Sequence, residues 1–207
     1  MSTSITTSAT NANATIAEVL GNWVSDFGGS AHGAANTGGF NLGKLAGTQY
    51  SANNTAGDYA FIAKSDTGLT YDFQKHVVKG ELDSLTFGAK LAGADIHTPT
   101  GNYTLGSTDL TFSDLNWNSD TTNSALADLQ TVNASKPAPV LEQISDLLAG
   151  LESSFAGAIG DYNNLYTDDP IYTFDTITLE QLAVVNAAEL TPIASALISD
   201  SEMLMAA

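Results

Sequence analysis

The most regular hydrophobic pattern in the chain begins at Ile16. Apolar side chains at Ile16, Val19, Leu20, Trp23 and Phe27 recur at helical spacing and form one stripe. Thr15 and Glu18 make a capping box in front of the stripe, and Gly28-Gly29 ends it, which predicts a helix from Ile16 to Phe27. The glycine-, alanine-, asparagine- and serine-rich stretch from Gly28 to Gly39 reads as loop. From 40 to 116 the period drops to two. Tyr50/Ala52, Tyr59/Phe61/Ala63 and Leu69/Tyr71/Phe73 alternate with polar neighbours, and Asn53-Asn54 and Thr67-Gly68 are breakers between strands. His76–Phe87 and Asp109–Leu115 continue the alternation.

Helical character returns near Ser124. After Pro137 and Pro139 it strengthens, with Val140, Ile144, Leu147, Leu148, Leu151 and Phe155 on one face. A last helix is expected from Leu179 to about Glu189, capped by Thr178 and Gln181 and stopped by Pro192. Helices at both ends and strands between predict one α+β domain over 1–207. Its antiparallel sheet is expected to be packed on one face by α-helices.

Charge narrows the function. The 23 carboxylates face six basic residues, all lysine (44, 64, 75, 79, 90 and 136), for a net charge of −17. Such a surface repels phosphate backbones and anionic lipid, so neither nucleic acid nor a membrane surface is an expected partner. Without arginine there is no bidentate clamp for phosphates. Cysteine is absent, which excludes disulfides and thiolate chemistry. No apolar run approaches bilayer length, so no membrane insertion is expected. The first residues lack the basic and apolar regions of a Sec signal peptide. No G-x-S-x-G, H-E-x-x-H or phosphate-cradling glycine loop occurs, so an enzyme is not expected.

Three histidines are the sharpest candidates. His32 lies inside the glycine-rich loop, where no core could bury an imidazole; by position alone it also reads as an exposed side chain without a task. His97, in ADIHTPTG, has only that second reading. In LTYDFQKHVVKG, a two-residue turn at Gln74-Lys75 would set Phe73 opposite His76 and Tyr71 opposite Val78. Tyr71, Phe73, His76 and Val78 would then share a face, with His76 diagonal to Tyr71 and within hydrogen-bond reach. An ordinary aromatic strand end beside a surface histidine fits the same residues.

As a whole, the sequence resembles the HasA-type haemophores of the bacterial haem acquisition system. EVLGNWVSDFGG, the loop histidine His32, NTGGFNLG, GTQYS, GLTYDF and GELDSLTFG carry the resemblance in order and spacing over roughly 16 to 116, and STDLTFSDLNWNS closes the sheet portion. The ending MLMAA also resembles the family's C-terminus. The resemblance implies haem b, as ferric protoporphyrin IX, held between two loops at one edge of the sheet. It implies His32 and Tyr71 as iron ligands and His76 as the support of Tyr71. It further implies a secreted, extracellular, monomeric carrier. Such a carrier would take haem from haemoproteins and deliver it to an outer-membrane haemophore receptor. Export would use a type I ABC exporter, with 193–207 as a flexible secretion signal.

Two stretches depart from the family pattern. The Tyr71–His76 segment is shorter than the family's loop and lacks its proline. ALADLQTVNA, at 125–134, lacks the His, Tyr and Met residues that the family places against the haem.

The chemistry suits the residue types. Ferric iron favours a hard anionic oxygen such as tyrosinate, and a neighbouring imidazole that shares the phenol proton strengthens it. Tyrosinate ligation holds iron ferric and disfavours oxygen chemistry, as a carrier requires. A histidine on a glycine-rich loop is expected to leave the iron before Tyr71 does. Phe73 and Val78 are the candidate apolar contacts to the porphyrin, and Lys75 and Lys79 the nearby countercharges in sequence. Two other readings fit the same composition. One is a secreted, non-enzymatic binding or adhesion module of this fold without haem; the other, ranked well below it, is a carboxylate hydrolase.

Overall fold

A computed structural model describes residues 3–8, 12–28, 38–54, 59–75, 77–93, 101–134, 145–165 and 172–188. Their elements run β1 (Ser4–Thr7), α1 (Ile16–Gly28), β2 (Gly38–Phe40), β3 (Ala46–Asn53), β4 (Tyr59–Asp72), β5 (Val77–Lys79), β6 (Leu82–Ala92), β7 (Thr104–Trp117), α2 (Ser119–Ala134), α3 (Ser145–Leu165) and α4 (Leu179–Ala188). The strands form one antiparallel sheet in the order β1-β7-β6-β4-β3-β2, and β5 pairs with the far end of β4.

The period of two becomes two sides of the sheet. Ile5, Phe112, Leu85, Ala63, Tyr50 and Phe40 line up across six strands, and Leu110, Phe87, Phe61 and Ala52 form the next row on the same side. All but Tyr50 are buried there, against the helices. The intervening row on the opposite side reads Thr6, Thr111, Thr86, Ile62 and Ser51. A one-residue slip would exchange apolar and hydroxyl rows, so the alternation fixes the register.

The helices close this apolar side with aromatic contacts. Trp23 stacks on Phe27 at 4.5 Å and meets Phe87 edge-on at 4.8 Å, while its indole N–H donates to the Gly88 carbonyl at 3.0 Å. Phe174 stacks on Phe112 and is met edge-on by Phe155. Edge-to-face and offset pairs of this kind add specificity to burial. Both predicted capping boxes form. Thr15 and Glu18 exchange hydrogen bonds of 2.9 and 3.1 Å, and Thr178 and Gln181 exchange bonds of 2.9 and 3.3 Å. Asp128 of α2 accepts the first amides of α3, from Asp146 and Leu147, and so docks the two helices.

Three boundaries differ from the sequence expectation. β1 pairs with β7 and extends the sheet into the N-terminal segment; its period of two was hidden in a serine/threonine run. Helix α2 begins at Ser119 because Asn118 accepts the amides of Asp120 and Thr121. Thr67-Gly68 does not end a strand. β4 continues through it and bends, pairing with β6 over 59–64 and with β5 over 70–72.

The bend depends on two glycines with positive φ, Gly68 (+106°) and Gly80 (+134°). A Cβ on Gly80 would run into the Gly68 carbonyl oxygen and touch Leu69. Gly80→Ala therefore combines a disfavoured backbone angle with a backbone clash. It should lower unfolding free energy by more than about 2 kcal/mol in a denaturant titration. Burial, and after it the charge of Asp26, raises the pKa of Asp109 in β7 above its ordinary range. The folded state thus holds this proton more tightly than the unfolded chain, and stability gains as pH falls through the raised value. Asp109→Asn should raise the melting temperature at pH 7, with the advantage vanishing below about pH 3.5.

Candidate functional site

Beyond the bend, β4 runs from the core toward solvent. Leu69, Tyr71 and Phe73 point to one side of the strand and pass from core to solvent: Leu69 is fully buried, Tyr71 is half-buried against the core, and Phe73 is 69% exposed. The Phe73 ring meets that of Tyr71 edge-on at 6.4 Å. Tyr71 pairs with Val78 of β5, the register that the sequence predicts. Val78 is 2% exposed and belongs to the core, so its side chain is already occupied by packing beside Tyr71.

Tyr71 is also held from its other side. Its amide donates to the Leu45 carbonyl at 2.8 Å, and Thr70 pairs with Ala46. The phenol-bearing residue therefore has strand β5 on one flank and the segment entering β3 on the other. Among the described residues the exposed large hydrophobics are Leu42 (59%), Leu45 (49%) and Phe73, all near this end of the sheet. A half-buried phenol among exposed apolar side chains can both coordinate and make contact with a flat apolar ligand.

The turn after Tyr71 is organised by Asp72. One carboxylate oxygen accepts the amides of Gln74 and Lys75 at 3.0 and 3.2 Å, and the other accepts the Lys79 ammonium at 2.6 Å. The Lys79 contact first, and the Lys75 amide after it, lower the pKa of Asp72. This Asx turn shapes a short connection that has no proline. It also ties up Lys79, one of the two countercharges expected from the sequence. Asp72 was missed because an aspartate before a turn reads as solubility; its spacing to the amides of Gln74 and Lys75 was the available signal.

His32, His76 and His97 lie outside the described residues, so the expected Tyr71–His76 contact and the His32 ligand are not part of this geometry. The segment 125–134 falls within α2, where Ala125, Leu126 and Leu129 are buried in the core. No cluster of three or more metal-ligating His, Cys, Asp or Glu occurs among the described residues. No helix among them is long and apolar enough to cross a membrane.

The Asx turn makes a direct prediction. Asp72→Ala should speed hydrogen exchange at the Gln74 and Lys75 amides by about fivefold, the value of one ordinary hydrogen bond. Lys79→Ala, which leaves both amide contacts in place, should change it much less.

Comparison with known proteins identifies the family. The model of the family described as Heme-binding protein A (HasA) matches residues 1–198. Hemophore HasA of Serratia marcescens is 32% identical over 179 residues, covering 83% of this chain and 85% of its own. The apo structure of hemophore HasA from Yersinia pestis superposes with a TM-score of 0.58 at 22% identity, covering 74% of this chain and 88% of that one. The holo structure of the same hemophore gives 0.57 at 24% identity, with 74% and 90% covered. The structural likeness carries the fold, and the family match and the Serratia relative carry descent: this chain belongs to the HasA family.

Proposed function

We propose that this protein is an extracellular haemophore, a carrier rather than a catalyst, that captures ferric haem and releases it to an outer-membrane receptor. The observation that carries the reading is Tyr71: a phenol at the lip of the core, flanked by exposed Phe73 and Leu45, in a member of the HasA family. Tyr71 is the proposed oxygen ligand and His32 the proposed imidazole ligand. His76 is proposed to share the phenol proton. Its chain neighbour Val77 pairs with Asp72, so the register behind that proposal, Tyr71 opposite Val78, is the observed one.

Each residue type has a reason to be where it is. An anionic phenolate suits iron(III), and binding favours loss of the phenol proton. Tyr71 sits on a strand tied on both flanks, so it supplies the fixed side of the site. His32 comes from a glycine-rich segment and supplies the releasable side. Phe73 is the proposed apolar contact beside Tyr71. Export through a type I ABC system, with 193–207 as its signal, and capture of haem from haemoproteins belong to the same proposal. The adhesion alternative gains no specific observation.

The experiment is a titration of hemin into purified protein. A sharpened Soret band saturating at one equivalent is expected, and an unchanged hemin spectrum would overturn the reading. Tyr71→Ala should weaken binding on the order of a hundredfold or more, His76→Ala about ten- to a hundredfold, and His97→Ala hardly at all. His32→Ala should keep haem longer than Tyr71→Ala under competition with an apoprotein acceptor. Equal effects at Tyr71 and His97 would remove the ligand assignment.

A further inference from the structure

We infer that the β2–β3 connection, residues 41–45, forms a third wall of the porphyrin site: Lys44 pairs with a propionate, and Leu42 and Leu45 cover the adjoining porphyrin edge. The inference rests on the haemophore reading. Asn41–Gly43 close the NTGGFNLG stretch that carries the family resemblance, but no contact with the ligand was expected of 41–45, which lies apart from both expected ligand loops.

The segment is rigidly anchored at its base. Asn41 is fully buried. Its amide nitrogen donates to Thr48 and to Asn102, at 3.1 and 3.0 Å, and its carbonyl oxygen accepts the Gln49 amide at 2.9 Å. Gly47 leaves room for that side chain; a Cβ there would collide with the Asn41 carbonyl oxygen. At the other end the Leu45 carbonyl is bound by the Tyr71 amide. A connection fixed at both ends cannot fold its leucines back into the core, yet Leu42 and Leu45 are two of the three exposed large hydrophobics among the described residues. Apolar groups held in water this way mark a surface made to be covered.

Charge identifies the cover. Lys44 stands between the two leucines, is exposed, and has no ion-pair partner among the described residues. Lys79 is bound to Asp72 and Lys64 lies 3.4 Å from Asp66; Lys75 and Lys90 also have no ion pair among the described residues, but of these three lysines Lys44 is the one set between exposed leucines. In a chain of net charge −17, a free ammonium one residue from the backbone contact to Tyr71 is a rare site of attraction for a carboxylate. A ligand with a broad apolar face, carboxylates at its rim and a metal within reach of Tyr71 matches all three features. A ferric porphyrin has that chemistry.

The test separates this wall from the haem reading itself. Ferric protoporphyrin IX and its dimethyl ester are titrated into the parent chain, Lys44→Glu and the Leu42→Ser/Leu45→Ser double variant at low ionic strength. Lys44→Glu should weaken the diacid about five- to tenfold and leave the ester within about twofold. The double variant should weaken both porphyrins to a similar degree. All substituted side chains are exposed, so melting temperatures should match the parent. If the parent binds hemin and Lys44→Glu binds it equally well, or loses diacid and ester alike, the propionate pairing is wrong while the haemophore reading stands. If the double variant binds both porphyrins as the parent does, the apolar wall is wrong. If the parent takes up no hemin, both readings fall together.

Discussion

The close approach of two glycine backbones, at Gly68 and Gly80, is the constraint on which the site depends. A side chain at Gly80 would strike the Gly68 carbonyl oxygen, and both glycines hold positive φ angles that other residues rarely adopt. With the bend, one strand serves two purposes. Its first arm, 59–64, lies between β3 and β6 and fills the core; its second arm, 70–72, pairs with β5 and carries Tyr71 to the rim of the core. The Ser119 hydroxyl accepts the Gly80 amide, so the start of α2 is set by the same corner. The core is therefore not merely a support for the tyrosine. Leu69 and Val78, on either side of it, are core residues, and a shift of Tyr71 would have to disturb them.

This arrangement makes Tyr71 a fixed element of the proposed site. Tyr71 is fixed through β5, through the Leu45 carbonyl and through the Asx turn of Asp72, three independent restraints that exist before any ligand arrives. A preorganised ligand lowers the ordering cost of binding. In the proposed haemophore, such a ready-made anchor at Tyr71 favours capture.

Much of the fold was legible because its signals were local or periodic. The stripe Ile16–Phe27, the two capping boxes and the alternation through Phe61, Leu85 and Phe112 each state their own geometry. The pairing of Tyr71 with Val78 was legible too, since the short spacing leaves little freedom. What sequence could not show was long-range. Thr67-Gly68 reads as a strand break until Gly80, twelve residues on, is seen to nest against it. The anchoring of 41–45 needs Asn102, sixty-one residues away. Val78 was expected to face the porphyrin, but its side of β5 is already closed by α2 and the core. Periodicity tells which side a residue takes, not which neighbour reaches it first.

The outermost strands have a further consequence, for behaviour at high concentration. β1 and β2, which border the sheet, are only four and three residues long, and β2 is two-thirds glycine. An exposed strand edge is a template on which another chain can dock and seed aggregation, and short edges offer few rungs to such a ladder. The row of Thr6, Thr111, Thr86, Ile62 and Ser51 is hydroxyl-bearing at four of its five positions and offers little apolar plane for sheet stacking, and a charge of −17 sets copies repelling one another. Colloidal stability is thus built into the borders of this sheet, separately from the chemistry at Tyr71.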